Sequence, residues 1–134
     1  MWNNIAAEKS FENKIKKFLK EQNCWYIKYW SGAEFTKSGI PDLLINCNGF
    51  FIAAEIKAPN GKPSELQLNT IIEIEKAGGI AFILIPTEGI KKVKNYIEKN
   101  FPEYSNVKII DFEAFKKLIL FLKTYEPIND ILVY

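Results

Sequence analysis

An Asn48-Gly49 pair stands between two apolar runs, one ending at Cys47 and the other beginning at Phe50. Asn-Gly in that setting is the strongest short-range hairpin signal, because a two-residue type I′ turn needs φ > 0 at both central positions. The turn fixes the register on either side of it. With Cys47 facing Phe50, every facing pair shares one index sum, and Asp42 falls opposite Glu55. Lys57, two residues on, projects from the same sheet face as Glu55. The other face carries Leu43, Ile45, Ile52, Ala54 and Ile56, a plain core surface. Two carboxylates opposed across a strand pair repel each other. Glu55 moreover follows Phe51-Ile52-Ala53-Ala54, where a lone carboxylate is costly to bury. A divalent metal ion together with the Lys57 ammonium would hold such a pair; the alternative is a solvent-facing pair at a sheet edge.

Other elements follow from periodicity and punctuation. Phe11, Ile15, Phe18 and Leu19 recur at helical spacing and predict a helix from about Ile5 to Gln22. Cys24 to Trp30 is aromatic and β-branched, hence a strand, and Ser31 to Gly39 is a polar loop leading to the Asp42–Cys47 and Phe50–Lys57 hairpin. A loop over Ala58–Pro63 precedes a helix from about Glu65 to Ala77, stopped by Gly78-Gly79. A strand Ile80–Ile85, a helix from about Gly89 to Lys99, a strand Val107–Ile110 and a helix Phe112–Lys123 complete the chain. The order αβββαβαβα describes a single α/β domain over residues 1–134, a mixed β-sheet flanked by helices. Ser64-x-x-Gln67 has the form of a capping box, and Asp111 that of an N-cap. Trp25, Tyr26, Tyr29 and Trp30 alternate across their strand and are expected in core and interface rather than as base-stacking platforms.

Absences narrow the chemistry. The chain has no histidine, which excludes Ser-His-Asp and Cys-His relays, histidine-metal nucleases and the usual zinc hydrolase ligand sets. All 18 basic residues are lysine, so bidentate reading of guanine by arginine is excluded too. Lysines are point charges suited to phosphate, and give affinity that is largely independent of sequence. The net charge is only +2, but Lys9, Lys14, Lys16, Lys17, Lys20, Lys28 and Lys37 crowd the N-terminal third, as a solvated face or a backbone-tracking patch. Cys24 and Cys47 lie in apolar runs without C-x-x-C spacing and read as buried, reduced thiols. No apolar run approaches a membrane span, and Met1-Trp2-Asn3-Asn4 lacks the features of a signal peptide. A cytoplasmic protein is expected.

The P-D … E-x-K constellation resembles the PD-(D/E)XK nuclease superfamily. Ser38-Gly39-Ile40-Pro41-Asp42, Glu55-Ile56-Lys57-Ala58-Pro59-Asn60-Gly61 and Ser64-Glu65-Leu66-Gln67 look like its virus-type replication-repair (VRR-NUC) branch, and are similar also to archaeal Holliday-junction resolvases. The resemblance covers a motif core of about 12–84 and leaves a C-terminal extension of about 100–134. It implies a restriction-endonuclease-like fold and Mg²⁺- or Mn²⁺-dependent endonuclease activity on DNA. Branched or structured DNA in replication, recombination or repair is the implied substrate, and a phage or mobile element the implied setting. A resolvase makes two symmetric cuts, so a homodimer would follow. The implied ligands are Asp42, Glu55, the Ile56 carbonyl and a helix-one glutamate, Glu12 in preference to Glu8. Lys57 would be catalytic base or stabiliser, and Gln67 would lie near the active site if not merely in its capping box. Lys14, Lys16, Lys17, Lys37, Ser38 and Lys62 are the candidate DNA contacts. The competing readings are a catalytically silent nucleic-acid- or partner-binding module on the same fold, and a sequence-specific restriction-type nuclease.

Overall fold

Asn48 and Gly49 take φ of +56° and +91°, the left-handed pair that a type I′ turn demands. In the computed structural model, which describes residues 4–30 and 38–127, this turn joins β2 (Leu43–Cys47) to β3 (Phe50–Ile56) with Cys47 opposite Phe50 and Leu43 opposite Ala54. The remaining elements are α1 (Asn4–Glu21), β1 (Trp25–Lys28), α2 (Glu65–Lys76), β4 (Ile80–Leu84), α3 (Ile90–Asn100), β5 (Ile109–Ile110) and α4 (Phe112–Leu122), with short 3₁₀ turns at Thr87–Gly89 and Pro102–Tyr104. The expected order and mixed sheet are both present. The five strands lie in the order β1-β2-β3-β4-β5, antiparallel through the hairpin and parallel from β3 onward. A parallel connection needs a crossover, and α2 supplies it between β3 and β4.

Strand alternation sorts the core into two layers. Leu43, Ile45, Ile52, Ala54, Ile56, Phe82 and Leu84 face α1 and α4, where they meet Phe11, Ile15, Leu19, Phe115 and Ile119. Ala53, Ala81, Ile83 and Ile85 face α2 and α3, against Leu68, Ile71, Val93 and Ile97. The capping box forms as expected: the Gln67 N–H donates to Ser64 Oγ at 3.1 Å and the Ser64 N–H donates to Gln67 Oε1 at 3.0 Å. Asp111 caps α4 by accepting from the Ala114 N–H at 2.9 Å. At the other end of α4 the Asn48 amide donates to the carbonyls of Leu122, at 2.9 Å, and Tyr125.

Four expectations change. The fifth strand is shorter than Val107–Ile110, because the Val107 N–H closes a turn onto the Tyr104 carbonyl (3.0 Å) and cannot join the ladder. Trp25 and Trp30 are 64% and 73% exposed, so they are not core. Trp25 points to the sheet face whose helices lie over β3 and β4, leaving the edge strand β1 uncovered there, while Tyr26 packs into the α1 side. Cys47 is a buried free thiol and Cys24 a half-buried one. Asp42, finally, lies at a bend before β2 rather than within it. Among the described residues no helix is long and apolar enough to cross a membrane.

Candidate functional site

The site sits where β3 ends. Glu55 is the last acid on the strand and is 2% exposed, with Ala53 before it on the same face. Its Oε2 meets the Lys57 ammonium at 3.1 Å, while Oε1 is buried and has no hydrogen-bond partner among the described residues. Burial first, and then the charge of Asp42, push the Glu55 carboxyl up to about 8 despite the opposing Lys57. Lys57 is held at its backbone by a bond from its N–H to the Leu84 carbonyl (3.1 Å). Its side-chain stem runs against Gly61, where any Cβ would stand 3.1 Å from the Lys57 Cβ.

Asp42 reaches this group by a detour. Its carbonyl accepts from the Tyr29 N–H at 2.8 Å, tying the bend to the end of β1. Its Oδ2 accepts from the Ile56 N–H at 2.8 Å, so the carboxylate itself continues the ladder where the strand has stopped. N–H and C=O of one residue point to the same side of an extended strand, which turns the Ile56 carbonyl toward the Asp42 side. Gly39, at φ +82°, lies directly against α2: a Cβ there would fall 2.6 Å from the Leu66 Cγ. That close approach fixes the path of the chain into Pro41-Asp42.

From the opposite face comes α1. Glu12 is buried, and both of its oxygens are taken: Oε2 by Lys16 at 2.8 Å and Oε1 by Lys28 at 2.6 Å. Burial pushes its carboxyl up, but these two ammoniums outweigh burial and hold it below its ordinary value. Lys28 also reaches Asp42 Oδ1 at 3.3 Å, so one ammonium bridges the two acids. Burial pulls Lys28 down, yet Glu12 and Asp42 together hold it above its ordinary value. Glu8, one turn before Glu12, is half-buried, and its carboxyl is raised by burial and then by Asp42. It lies in the field of Asp42, Lys57 and Glu55, whereas Glu12 reaches Asp42 through Lys28.

The structure thus brings Asp42, Glu55, Lys57 and the Ile56 backbone together and sets Glu12 beside them. Among the described residues no three acids or thiols converge closely enough to hold an ion as they stand. Gln67 is engaged in its capping box and, among the described residues, makes no hydrogen bond to Asp42, Glu55 or Lys57. Of the candidate DNA contacts, Lys14, Lys17, Ser38 and Lys62 are exposed, and Lys16 is paired with Glu12. Lys14 and Lys62 lie over the Phe112 and Tyr96 rings, at 5.1 and 5.3 Å from the centroids. Lys37 lies outside the described residues. Sequence reasoning counted Lys28 only among the basic residues. The signal was its parity: Lys28 shares a strand face with Tyr26, and a charged residue on an inward face needs a partner.

Compared with known proteins, the chain matches no family model, no curated protein and no solved structure.

Proposed function

We propose that this chain is a metal-dependent endonuclease that hydrolyses DNA phosphodiester bonds, with branched or structured DNA as substrate. The observation that carries the reading is Glu55 Oε1, a buried carboxylate oxygen without a partner among the described residues, beside Asp42 and Lys57. Buried polar atoms are almost always satisfied, and an unsatisfied one calls for an explanation such as an ion. The donor set suits Mg²⁺ or Mn²⁺, which bind oxygen and need only one or two carboxylates when water and phosphate complete the shell. Asp42, Glu55 and the Ile56 carbonyl would hold the ion, with Glu12 or Glu8 from α1 beside them. Bound there, it would polarise the phosphoryl oxygens and activate water.

The residues of the chain do the rest. Lys57, anchored on Glu55 and braced by Gly61, presents an ammonium that orients the attacking water and stabilises charge developing on the phosphoryl oxygens. Exposed Lys14, Lys17 and Lys62 would track the backbone without reading bases. A four-way junction needs two symmetric cuts, so a homodimer belongs to this reading. A cytoplasmic location belongs to it as well, in keeping with two free thiols. The test is incubation with Mg²⁺ or Mn²⁺ and a panel of linear, single-stranded, flapped and four-way DNAs. Cleavage of branched forms that EDTA abolishes is the expected result; no cleavage of any substrate in either metal, or undiminished cleavage in EDTA, overturns the reading.

A further inference from the structure

Lys28 has no role in the chemistry just described, yet its ammonium is the cation that Glu12 and Asp42 share, at 2.6 and 3.3 Å. All three side chains are largely withdrawn from water, at 18% exposure for Lys28, 9% for Glu12 and 21% for Asp42. Lys28 also faces a cavity on the α1 side of Glu12. With Ile5, Glu8, Lys9, Glu12 and Trp30 it lines this space of about 280 Å³. The Trp30 ring, largely exposed, has its centroid 5.5 Å from the ammonium. A Lys28 displaced from Asp42 therefore keeps two supports it already has, Glu12 and an aromatic face that attracts cations.

We propose that Lys28 is a built-in counter-cation that holds Asp42 and Glu12 in the metal-free protein and is displaced from Asp42 when a divalent ion enters. This rests on the metal-site reading above and adds its regulation. One oxygen of Asp42 is bound by the Ile56 N–H and the other by Lys28, so an ion seeking Oδ1 competes with the ammonium directly. Competition of this kind is a coupling between two cations, and it is reciprocal: Lys28 weakens the ion's hold on Asp42 by the same factor as the ion weakens that of Lys28. Glu55 Oε1, which no lysine among the described residues occupies, remains open as the first point of attachment.

The experiment measures Mg²⁺ affinity by calorimetry, and the rise in melting temperature with Mg²⁺, on the EDTA-stripped full chain without DNA. Three proteins are compared: the parent, Lys28→Met, which keeps the stem and removes the charge, and Lys28→Arg, which keeps the charge. Lys28→Met should bind Mg²⁺ about tenfold more tightly than the parent, a size usual for coupled sites. Lys28→Arg should bind more weakly, because a guanidinium fork grips two carboxylates better than an ammonium does. Without Mg²⁺, Lys28→Met should melt lower than the parent, and with Mg²⁺ that deficit should shrink. A purely structural lysine would give no such order of affinities. Equal or weaker Mg²⁺ binding by Lys28→Met, with the parent binding normally, overturns the inference and leaves the metal site standing. Should Lys28→Met not fold, Lys28→Arg binding as tightly as the parent overturns it equally. Binding by neither parent nor variants overturns both readings, and binding by Lys28→Met alone supports the inference in its strongest form.

Discussion

A single oxygen, Glu55 Oε1, shows how this chain keeps a buried carboxyl that no described residue satisfies. The carboxyl, pushed up to about 8, holds its proton more tightly in the folded chain than in the unfolded one. The metal-free protein should therefore lose stability as pH rises from the ordinary carboxylate range toward about 8, and change little beyond. Urea midpoints taken at intervals from about pH 5 to about 9 would follow this loss. Glu55→Gln, which cannot ionise, should flatten that part of the curve and leave the apo-protein more stable than the parent above about pH 8. The same variant should lose more than about a hundredfold in DNA cleavage if Glu55 serves the reaction. Glu12 acts in the opposite sense: its lowered carboxyl contributes stability that disappears only on acidification below the ordinary carboxylate range. Stability that rose toward pH 8, or a pH curve unchanged by Glu55→Gln, would contradict the assignment of a buried, unpartnered acid.

At the scale of elements, the turn between β2 and β3 does two jobs. Asn48 adopts a left-handed φ and also spends its amide on the last carbonyls of α4. Asn48→Gly keeps the turn and removes the cap, and should cost about 1 kcal/mol. Asn48→Ala also imposes the left-handed penalty, so it should cost a further ~1–2 kcal/mol. Equal destabilisation of the two in denaturant titrations would show that the turn geometry carries none of the effect. That turn is also why so much of the fold was legible in the sequence. Turn chemistry and register are local, so Asn48-Gly49 delivered Asp42 to the level of Glu55 and sent Leu43 and Ile56 to the core. Exposure of Trp25 and Trp30 was not legible, because it depends on where α2 and α3 cross the sheet, a matter of packing rather than alternation. Nor was the bend at Asp42, where a side chain replaces the backbone as the acceptor for Ile56. Lys28 escaped because it lies on β1 rather than on the hairpin, and the choice between Glu12 and Glu8 stayed open because only the tertiary fold brings α1 to the site.

Taken whole, the molecule carries its available positive charge unevenly. Lys16 is committed to Glu12 and Lys28 to Glu12 and Asp42, whereas Lys14, Lys17 and Lys62 lie open to solvent. DNA affinity measured by anisotropy should fall with salt, with a log–log slope of about −0.9 per phosphate neutralised on duplex. Lys14→Ala with Lys17→Ala should flatten that slope on scrambled duplexes and four-way junctions alike, and Lys16→Ala should change it less. Strong preference for one short duplex over its scrambles would favour a restriction-type nuclease instead. The sheet itself has an uneven history. Its antiparallel half closes through a two-residue turn, whereas the parallel pairing of β3 with β4 must wait for a whole helix to cross over. Local contacts form before distant ones, because short loops cost less entropy to close. Asp42 and Glu55 are thus drawn together early, before β1 has brought Lys28, and α1 Glu12, to their side. Above about pH 8, where Glu55 gives up its proton, the metal-free chain folds against its own charge, and that repulsion is felt in how fast the hairpin closes as well as in how firmly the finished protein holds.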